Sequence, residues 1–245
     1  MSEIVYIFDI DGTITPPRQP MNDEFVEVFL DWICEDSKVV YLATGSDITK
    51  VREQVPAEVI DACTGVFCCL GNQLWEKGLV SYERSFLPSK ALIQDLKIYL
   101  TQGARYPIRT GNHIEVRTGM VNFSVIGRNA TQDQREEYRE WDLINQERED
   151  IVDYIKSKYK FYEVSIGGSI SVDIYLKGSD KSQVVSHLRL LHEDVSFVFA
   201  GDKTDPGGND HAIVEMLEDD DSSQWFKVNN WQDTLELIYE NEAFV

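Results

Sequence analysis

The sequence has few basic residues and no long apolar run. Its 23 Lys and Arg residues stand against 43 Asp and Glu residues, which gives a formal net charge of -20. Binding to nucleic acid or to an anionic membrane surface requires clustered positive charge, so we expect neither partner. No apolar stretch approaches the length of a membrane span, and the N-terminal residues lack the pattern of a secretory signal. These absences predict a cytoplasmic protein.

Metal-binding motifs built on cysteine or histidine are also missing. The 4 cysteines include no Cys-x-x-Cys pair, and the 4 histidines are scattered without ligand spacing. Cys68 and Cys69 lie inside the apolar run Val66–Leu70, which predicts a core strand whose adjacent side chains point to opposite faces. We therefore expect reduced core thiols rather than zinc ligands.

The sequence does contain a short apolar strand that ends in two aspartates. The run Ile4–Phe8 is typical of a strand buried on both faces of a parallel sheet, and Asp9 and Asp11 follow it. Alternation along the chain predicts that both carboxylates point to one crevice beyond the strand. Gly12 permits a sharp turn, and the Thr13 hydroxyl can orient a carboxylate. This pattern favours a bound cation, a nucleophile and an acid–base group.

Two further strands end in polar groups. Val39–Ala43 leads through Thr44 into a helix start, where a hydroxyl, free backbone N–H groups and the helix dipole together suit a phosphoryl oxygen. Val195–Ala200 leads to Asp202, another carboxylate at a strand end. The carboxyl ends of parallel strands meet at one edge of a sheet, so we expect these groups to lie close to the first aspartates.

The apolar patterns change along the 245-residue chain, and the change predicts two domains. Continuous apolar runs occur in residues 1–82 and 178–245, which favours an α/β core with a parallel sheet. Residues 83–177 carry alternating runs and a charged helical stretch at 131–160, which favours an antiparallel sheet in an inserted α+β unit. We therefore predict a core of residues 1–82 and 178–245 and an inserted cap of residues 83–177.

The Asp-x-Asp-Gly-Thr pattern that begins at Asp9 resembles the first motif of the haloacid dehalogenase superfamily, and Thr44, Lys181 and Asp202 match the following motifs. The resemblance implies a Rossmann-like core and phosphate transfer through an aspartyl-phosphate. Asp9 would attack phosphorus, and Asp11 would transfer the proton. Thr44 would hold a phosphoryl oxygen, and Lys181 would bridge Asp9 and the phosphate. Mg²⁺, which prefers oxygen ligands, would be held by Asp9, Asp202 and the carbonyl group of Asp11.

Longer blocks resemble the eukaryotic-type α-phosphomannomutases over nearly the whole chain. The blocks are residues 9–19, 117–128, 165–173 and 201–210. The resemblance implies that arginines bind the phosphate that is not reacting and that Ser171 and Asp173 contact sugar hydroxyls. These arginines are Arg18, Arg117, Arg128 and Arg135. It further implies interconversion of mannose 1-phosphate and mannose 6-phosphate through a hexose 1,6-bisphosphate, and a homodimer formed through the cap.

One segment departs from that family and leaves other functions open. Glu218–Asp221 and the two following serines stand where the family has a loop that helps to bind metal. A sugar-phosphate phosphatase that uses the same aspartate chemistry, with water completing the reaction, is the first alternative. A catalytically silent sugar-phosphate-binding protein is the second. The joint presence of the aspartates, Thr44 and Lys181 speaks against the silent protein.

Overall fold

The computed structural model describes residues 3–35 and 38–244, and within them the chain divides into two compact units. Unit 2 is Ser85–Gly178, and unit 1 consists of the described residues before and after it. The corresponding boundaries predicted from the sequence are 82/83 and 177/178. Residues 1, 2, 36, 37 and 245 of the predicted core lie outside the described residues.

The chain enters unit 1, passes through unit 2 and returns to unit 1. The first part of unit 1 contains β1 (Glu3–Phe8), α1 (Asp23–Cys34), β2 (Val39–Ala43), α2 (Ile48–Gln54), α3 (Ala57–Ala62), β3 (Gly65–Cys68), β4 (Gln73–Glu76) and β5 (Leu79–Glu83). Unit 2 contains α4 (Lys90–Ile98), β6 (Ile114–Arg117), β7 (Met120–Phe123), α5 (Gln132–Asn145), α6 (Glu147–Lys158), β8 (Tyr162–Gly167) and β9 (Ser171–Leu176). The second part of unit 1 contains α7 (Ser182–Leu191), β10 (Val195–Gly201), α8 (His211–Glu218), β11 (Gln224–Lys227) and α9 (Trp231–Glu240).

The sheet of unit 1 has seven strands within the described ranges, in the order β11-β10-β1-β2-β3-β4-β5. The strands from β11 to β3 pair in parallel, and β4 and β5 add an antiparallel hairpin at one edge. Strand β1 is covered on both faces: Tyr6 and Phe8 belong to the core beneath α1 and α9, and Val5 and Ile7 to the core beneath α7 and α8. This confirms the predicted α/β core, and it brings the carboxyl ends of β10, β1 and β2 to one edge.

The sheet of unit 2 is antiparallel, with the order β6-β7-β9-β8. Val121 and Phe123 of β7 are buried in the core of unit 2. Asn122 lies between them in a row of cross-strand neighbours with Glu115 on β6 and Asp173 on β9. Alternation along these strands therefore separates an apolar face from a polar row, as the pattern predicted.

One local prediction is wrong, since the run Val66–Leu70 is not a strand throughout. Strand β3 ends at Cys68, and Cys69 and Leu70 adopt left-handed backbone conformations, with φ 55° and 59°. Their N–H groups donate to the carbonyl groups of Ser46 and Thr44, which draws the chain away from the strand direction. The helical stretch at 131–160 is two helices, because Gln146 between them has a φ of 54°.

All four cysteines have free thiols. Cys68 and Cys69 are buried, as predicted, Cys63 is also buried, and Cys34 is exposed. Burial raises the pKa of Cys63 to about 12 and raises the pKa of Cys68 further. No helix in the described part of the chain combines the length and the apolar character needed to cross a membrane.

Candidate active site

Asp9 follows β1 directly, and its carboxylate lies beside a fully buried ammonium group. Lys181 is 0% exposed and Asp9 is 3% exposed. The Lys181 Nζ donates to Asp9 Oδ1 and, at 2.5 Å, to Asp210 Oδ1. The hydroxyl of Thr13 donates to Asp9 Oδ2 at 3.3 Å, in line with the orienting role predicted for it. Donors on both oxygens therefore hold the Asp9 carboxylate in one orientation.

This environment changes the proton affinity of both groups. Burial raises the pKa of Asp9 to about 7; Lys181 opposes this shift, and the carboxylates of Asp210 and Asp202 add to it. Burial alone would lower the pKa of Lys181, but Asp210 and Asp9 outweigh burial and raise it above its ordinary value. Lys181 therefore remains positively charged at neutral pH and supplies a fixed charge beside Asp9.

Three carboxylates meet at the carboxyl ends of β1 and β10. Ligand atoms of Asp9, Asp202 and Asp210 all lie within 4.8 Å of one another. The ammonium group of Lys203 lies 3.0 Å and 2.7 Å from the two Asp202 oxygens. Lys181 and Lys203 supply two positive charges to a cluster of three carboxylates, so the cluster keeps an excess of negative charge. Oxygen donors with excess negative charge fit a hard divalent cation.

Asp11 does not join this cluster with its carboxylate. Strand β1 ends at Phe8, and the next residues form a turn in which the Ile10 carbonyl accepts the N–H groups of residues 13–15. The alternation used to predict a shared crevice therefore stops before Asp11. Gly12 in this turn has a φ of 91°, and a Cβ atom there would lie 2.6 Å from Asp202 Oδ2. Glycine thus allows the turn to approach Asp202.

The Asp11 carboxylate has its own partners. Its Oδ1 accepts a hydrogen bond from Gln54 Nε2 at 2.8 Å and another from the backbone N–H of Arg18 at 2.7 Å. Asp210, which the predicted metal set did not include, takes the third position in the carboxylate cluster. The predicted metal ligand of Asp11 is its main-chain carbonyl, and that role remains a prediction.

Thr44 follows β2, close to the first turn of α2. Its side chain is buried, and its Oγ1 accepts the Ser46 N–H at 3.0 Å. Asp47 caps α2 by accepting the N–H groups of Thr49 and Lys50. No described residue accepts the hydroxyl hydrogen of Thr44, so this hydrogen can be donated to a phosphoryl oxygen.

In unit 2, the predicted sugar ligands are bonded to polar neighbours. Arg128 Nη1 donates to Ser171 Oγ at 3.2 Å, and Asn122 Nδ2 donates to Asp173 Oδ1 at 2.6 Å. Burial raises the pKa of Asp173, although the Asn122 hydrogen bond and the charges of Arg117 and Arg128 act to lower it. The polar row of the sheet thus brings together an arginine, a hydroxyl and a carboxylate.

The remaining predicted arginines have different surroundings. Arg117 Nε donates to Glu115 Oε2 at 2.6 Å. Arg135 Nε donates to the Ala130 carbonyl at 2.9 Å, and its Nη2 donates to the Arg128 carbonyl at 2.6 Å. Arg135 therefore supports the main chain that carries Arg128. Arg18 lies in unit 1 and is exposed, with a φ of 60°.

Sequence reasoning assigned no role to Asp210, Gln54 or Asn122. For Asp210 a signal exists, since it is a second carboxylate in the same block as Asp202, just before a helix. Gln54 is the last residue of a short helix, and nothing in its local sequence marks it. Asn122 has the alternation signal, because it is a polar residue between two apolar strand residues.

Comparison with known proteins identifies the relatives of this chain. The family model for eukaryotic phosphomannomutase matches residues 27–242. A phosphomannomutase of Spinacia oleracea is 36% identical over 226 residues, which cover 86% of this chain and 86% of the relative. Phosphomannomutase 2 of Dictyostelium discoideum is 32% identical over 251 residues, which cover 96% and 94% of the two chains.

Solved structures show the same fold at low sequence identity. A Streptococcus mutans protein has a TM-score of 0.64 at 15% identity, with coverage of 97% of this chain and 98% of that one. A haloacid dehalogenase-like hydrolase of Bacteroides thetaiotaomicron has a TM-score of 0.58 at 13% identity, with coverage of 97% and 98%. The fold is thus that of the haloacid dehalogenase-like hydrolases, and by its sequence the chain belongs to the eukaryotic phosphomannomutase family.

Proposed function

We propose that this enzyme interconverts mannose 1-phosphate and mannose 6-phosphate through an aspartyl-phosphate at Asp9 and a hexose 1,6-bisphosphate. One observation carries the proposal: in a chain of the phosphomannomutase family, the buried Asp9 carboxylate is fixed against Lys181 at the end of β1. Open α/β sheets bind ligands beyond the carboxyl ends of their strands, and Asp9 follows the carboxyl end of β1. This position supports Asp9 as the nucleophile and Lys181 as the fixed positive charge that phosphoryl transfer needs.

The proposed transfer has two partners in unit 1. An Asp9 oxygen forms a bond to phosphorus while the bond from phosphorus to the sugar oxygen breaks. The electron pair of that bond stays on the sugar oxygen, which takes a proton from Asp11. In the reverse step a sugar hydroxyl gives its proton to Asp11 and takes the phosphoryl group from Asp9. The product of this reverse step on a hexose monophosphate is the 1,6-bisphosphate, and when the bisphosphate then transfers its other phosphoryl group to Asp9, the net result is an isomerisation.

Positive charge is required because a carboxylate and a phosphate repel each other. At a separation of 4 Å and an effective dielectric constant near 20, the repulsion is about 4 kcal/mol. Lys181 is permanently charged beside Asp9, and we propose that the Thr44 hydroxyl binds one phosphoryl oxygen. Mg²⁺, when bound by the carboxylates of Asp9 and Asp202 and the carbonyl oxygen of Asp11, would supply further positive charge.

A mutase also needs a grip on the phosphate that is not reacting. We propose that four arginines bind this phosphate and that Ser171 and Asp173 bind the sugar hydroxyls. The arginines are Arg18 of unit 1 and Arg117, Arg128 and Arg135 of unit 2. The bond between Arg128 and Ser171 supports this assignment, because it joins a proposed phosphate ligand to a proposed sugar ligand. Guanidinium groups suit the role, since they offer paired donors to phosphate oxygens.

We further propose a homodimer formed through unit 2 and a cytoplasmic location. Exposed apolar side chains on unit 2 support the dimer: Leu143 and Ile144 on α5 and Val116 on β6 are among them. The four free thiols support a reducing compartment. Light scattering of the purified protein tests the dimer, and a monomer at micromolar concentration would contradict it.

A phosphorus NMR time course tests the proposed reaction. Mannose 1-phosphate is incubated with the protein and Mg²⁺, with and without a catalytic amount of mannose 1,6-bisphosphate. We expect mannose 6-phosphate to form, faster with the bisphosphate, and we expect no turnover by Asp9→Asn, which lacks the nucleophilic oxygen. Inorganic phosphate as the main product, unaffected by bisphosphate, would instead identify a phosphatase.

A further inference from the structure

The side chain of Gln54 is buried and polar, and it contacts the proposed acid–base group. Gln54 is 6% exposed, and its Nε2 lies 2.8 Å from Asp11 Oδ1 and 3.4 Å from Thr15 Oγ1. Both partner atoms are acceptors, because Asp11 Oδ1 also accepts the backbone N–H of Arg18 and the Thr15 hydroxyl donates to the Ile10 carbonyl at 3.1 Å. The network therefore requires the Gln54 amide to present its NH₂ group to Asp11.

Two donors converge on the same oxygen of Asp11. Besides Gln54, the backbone N–H of Arg18 donates to Oδ1 at 2.7 Å. Within residues 3–35 and 38–244, no group donates to the other oxygen, Oδ2. A carboxyl group held in this way has one oxygen that only accepts hydrogen bonds and one oxygen that remains available for a proton. The two oxygens of Asp11 are therefore not equivalent.

We propose that Gln54 is a positioning residue for proton transfer: with the Arg18 N–H it holds the Asp11 carboxyl group through Oδ1 and leaves Oδ2 free to exchange a proton with the sugar oxygen. This inference rests on the proposed function, in which the sugar oxygen takes a proton from Asp11 as its bond to phosphorus breaks. The hydrogen bonds to Oδ1 restrict rotation of the carboxyl group, so the proton on Oδ2 points in one direction. A general acid or base typically accelerates a reaction about 10²- to 10⁴-fold, and its orientation decides how much of that acceleration is reached.

The backbone of Gln54 supports the same arrangement. Its carbonyl accepts the N–H of Met21 at 2.8 Å, which holds the far end of the segment that contains Arg18. A side-chain substitution leaves this backbone bond in place. Gln54→Met keeps the length and most of the volume of the side chain and removes its amide group, including the NH₂ that donates to Asp11, so it separates positioning from folding.

The test compares two phosphate donors that differ in their need for a proton. The leaving group of the sugar phosphate is a sugar oxygen, which must be protonated. The leaving group of acetyl phosphate is acetate, which is stable as a carboxylate. For Gln54→Met we expect transfer from the sugar phosphate to fall about 10- to 100-fold in kcat. We expect KM to change little, and we expect single-turnover phosphorylation of Asp9 by acetyl phosphate to change less than about twofold, because that step needs no acid.

A matched control is Gln73→Met, which removes a glutamine of unit 1 that is bonded to Glu83 and Trp75 instead. This variant should behave as the wild type with both donors. An equal loss with both donors in Gln54→Met would show a general structural role and would overturn the inference, as would unchanged rates with both. If the wild type mainly releases inorganic phosphate from mannose 1-phosphate, the proposed mutase activity is refuted but the role of Gln54 is not. Hydrolysis also requires the sugar oxygen to be protonated, so the two phosphate donors still differ in their need for Asp11.

Discussion

The ammonium group of Lys181 lies 2.5 Å from Asp210 Oδ1, and both side chains are fully buried. Since Lys181 also binds Asp9, one buried positive charge is shared between the proposed nucleophile and a second carboxylate. Asp210 therefore compensates the charge of Lys181. Its Oδ2 also accepts the Lys203 N–H at 3.0 Å, which links it to the segment that follows Asp202.

Removal of Asp210 should weaken the fold of unit 1. Asp210→Ala leaves Lys181 with one carboxylate partner in a buried site, and loss of one partner from a buried ion pair typically costs about 3–5 kcal/mol. Urea unfolding should show a decrease of that size in the free energy of unfolding. Asp205→Ala is the control, because Asp205 is an exposed carboxylate of the same loop that pairs with Lys227, and its loss should cost less than about 1 kcal/mol. Equal unfolding midpoints for both variants would contradict the prediction.

Arg128→Ala should slow phosphate transfer more than it affects stability. It would remove the proposed charge-assisted hydrogen bonds to the second phosphate, worth about 1.5–3 kcal/mol, which corresponds to roughly a 10- to 100-fold lower rate of mannose 6-phosphate formation. Arg139→Ala is the matched control, since Arg139 is an exposed arginine of unit 2 paired with Glu136. If both variants keep the wild-type rate, Arg128 does not bind the second phosphate.

Asp173→Asn should stabilise the protein at neutral pH. The pKa of Asp173 in the folded protein is raised above 3.8 by burial, so the charged form is less favourable when folded than when unfolded. The contribution of Asp173 to the stability of the folded protein is therefore fully present below the ordinary pKa, and it is lost as the pH rises through the raised pKa. The asparagine variant should therefore have a higher urea midpoint than the wild type at pH 7, with a smaller difference at more acidic pH. A difference that grows on acidification would contradict this assignment, and weaker sugar-phosphate binding by the variant should accompany the gain.

Mg²⁺ should raise the thermal unfolding temperature through the carboxylate cluster. A ligand that binds only the folded state at 100 times its Kd stabilises that state by about 2.7 kcal/mol. Asp202→Asn should remove most of this effect in differential scanning calorimetry. Asp219→Asn should keep it, because Asp219 is an exposed residue of the acidic run outside the cluster. A shift that depends on Asp219 instead would place the cation in that run.

The sequence predicts those strands and helices in which burial in the core determines the pattern of apolar residues. Strand β2 has the bounds of its apolar run, Val39–Ala43. Helices α5 and α6 are separated at Gln146 by a left-handed backbone conformation. No glycine or proline stands at this position, so the local sequence does not predict the break.

Contacts between distant parts of the chain were missed for a different reason. Asp11 and Gln54 are 43 residues apart, and Lys181 and Asp210 are 29 residues apart, so no spacing rule joins them. The alternation rule also failed at Asp11, because it holds only within a strand and β1 ends at Phe8. Side-chain roles that depend on such contacts require the folded chain.

The distribution of thiols makes the native protein suitable for site-directed labelling without engineering. Cys63, Cys68 and Cys69 are buried, and the raised pKa values of Cys63 and Cys68 leave almost no thiolate to react with an electrophile at neutral pH. Cys34, at the end of α1, is exposed. A maleimide dye should therefore attach at this position, which gives each molecule one fluorophore on unit 1 for optical measurements of ligand binding.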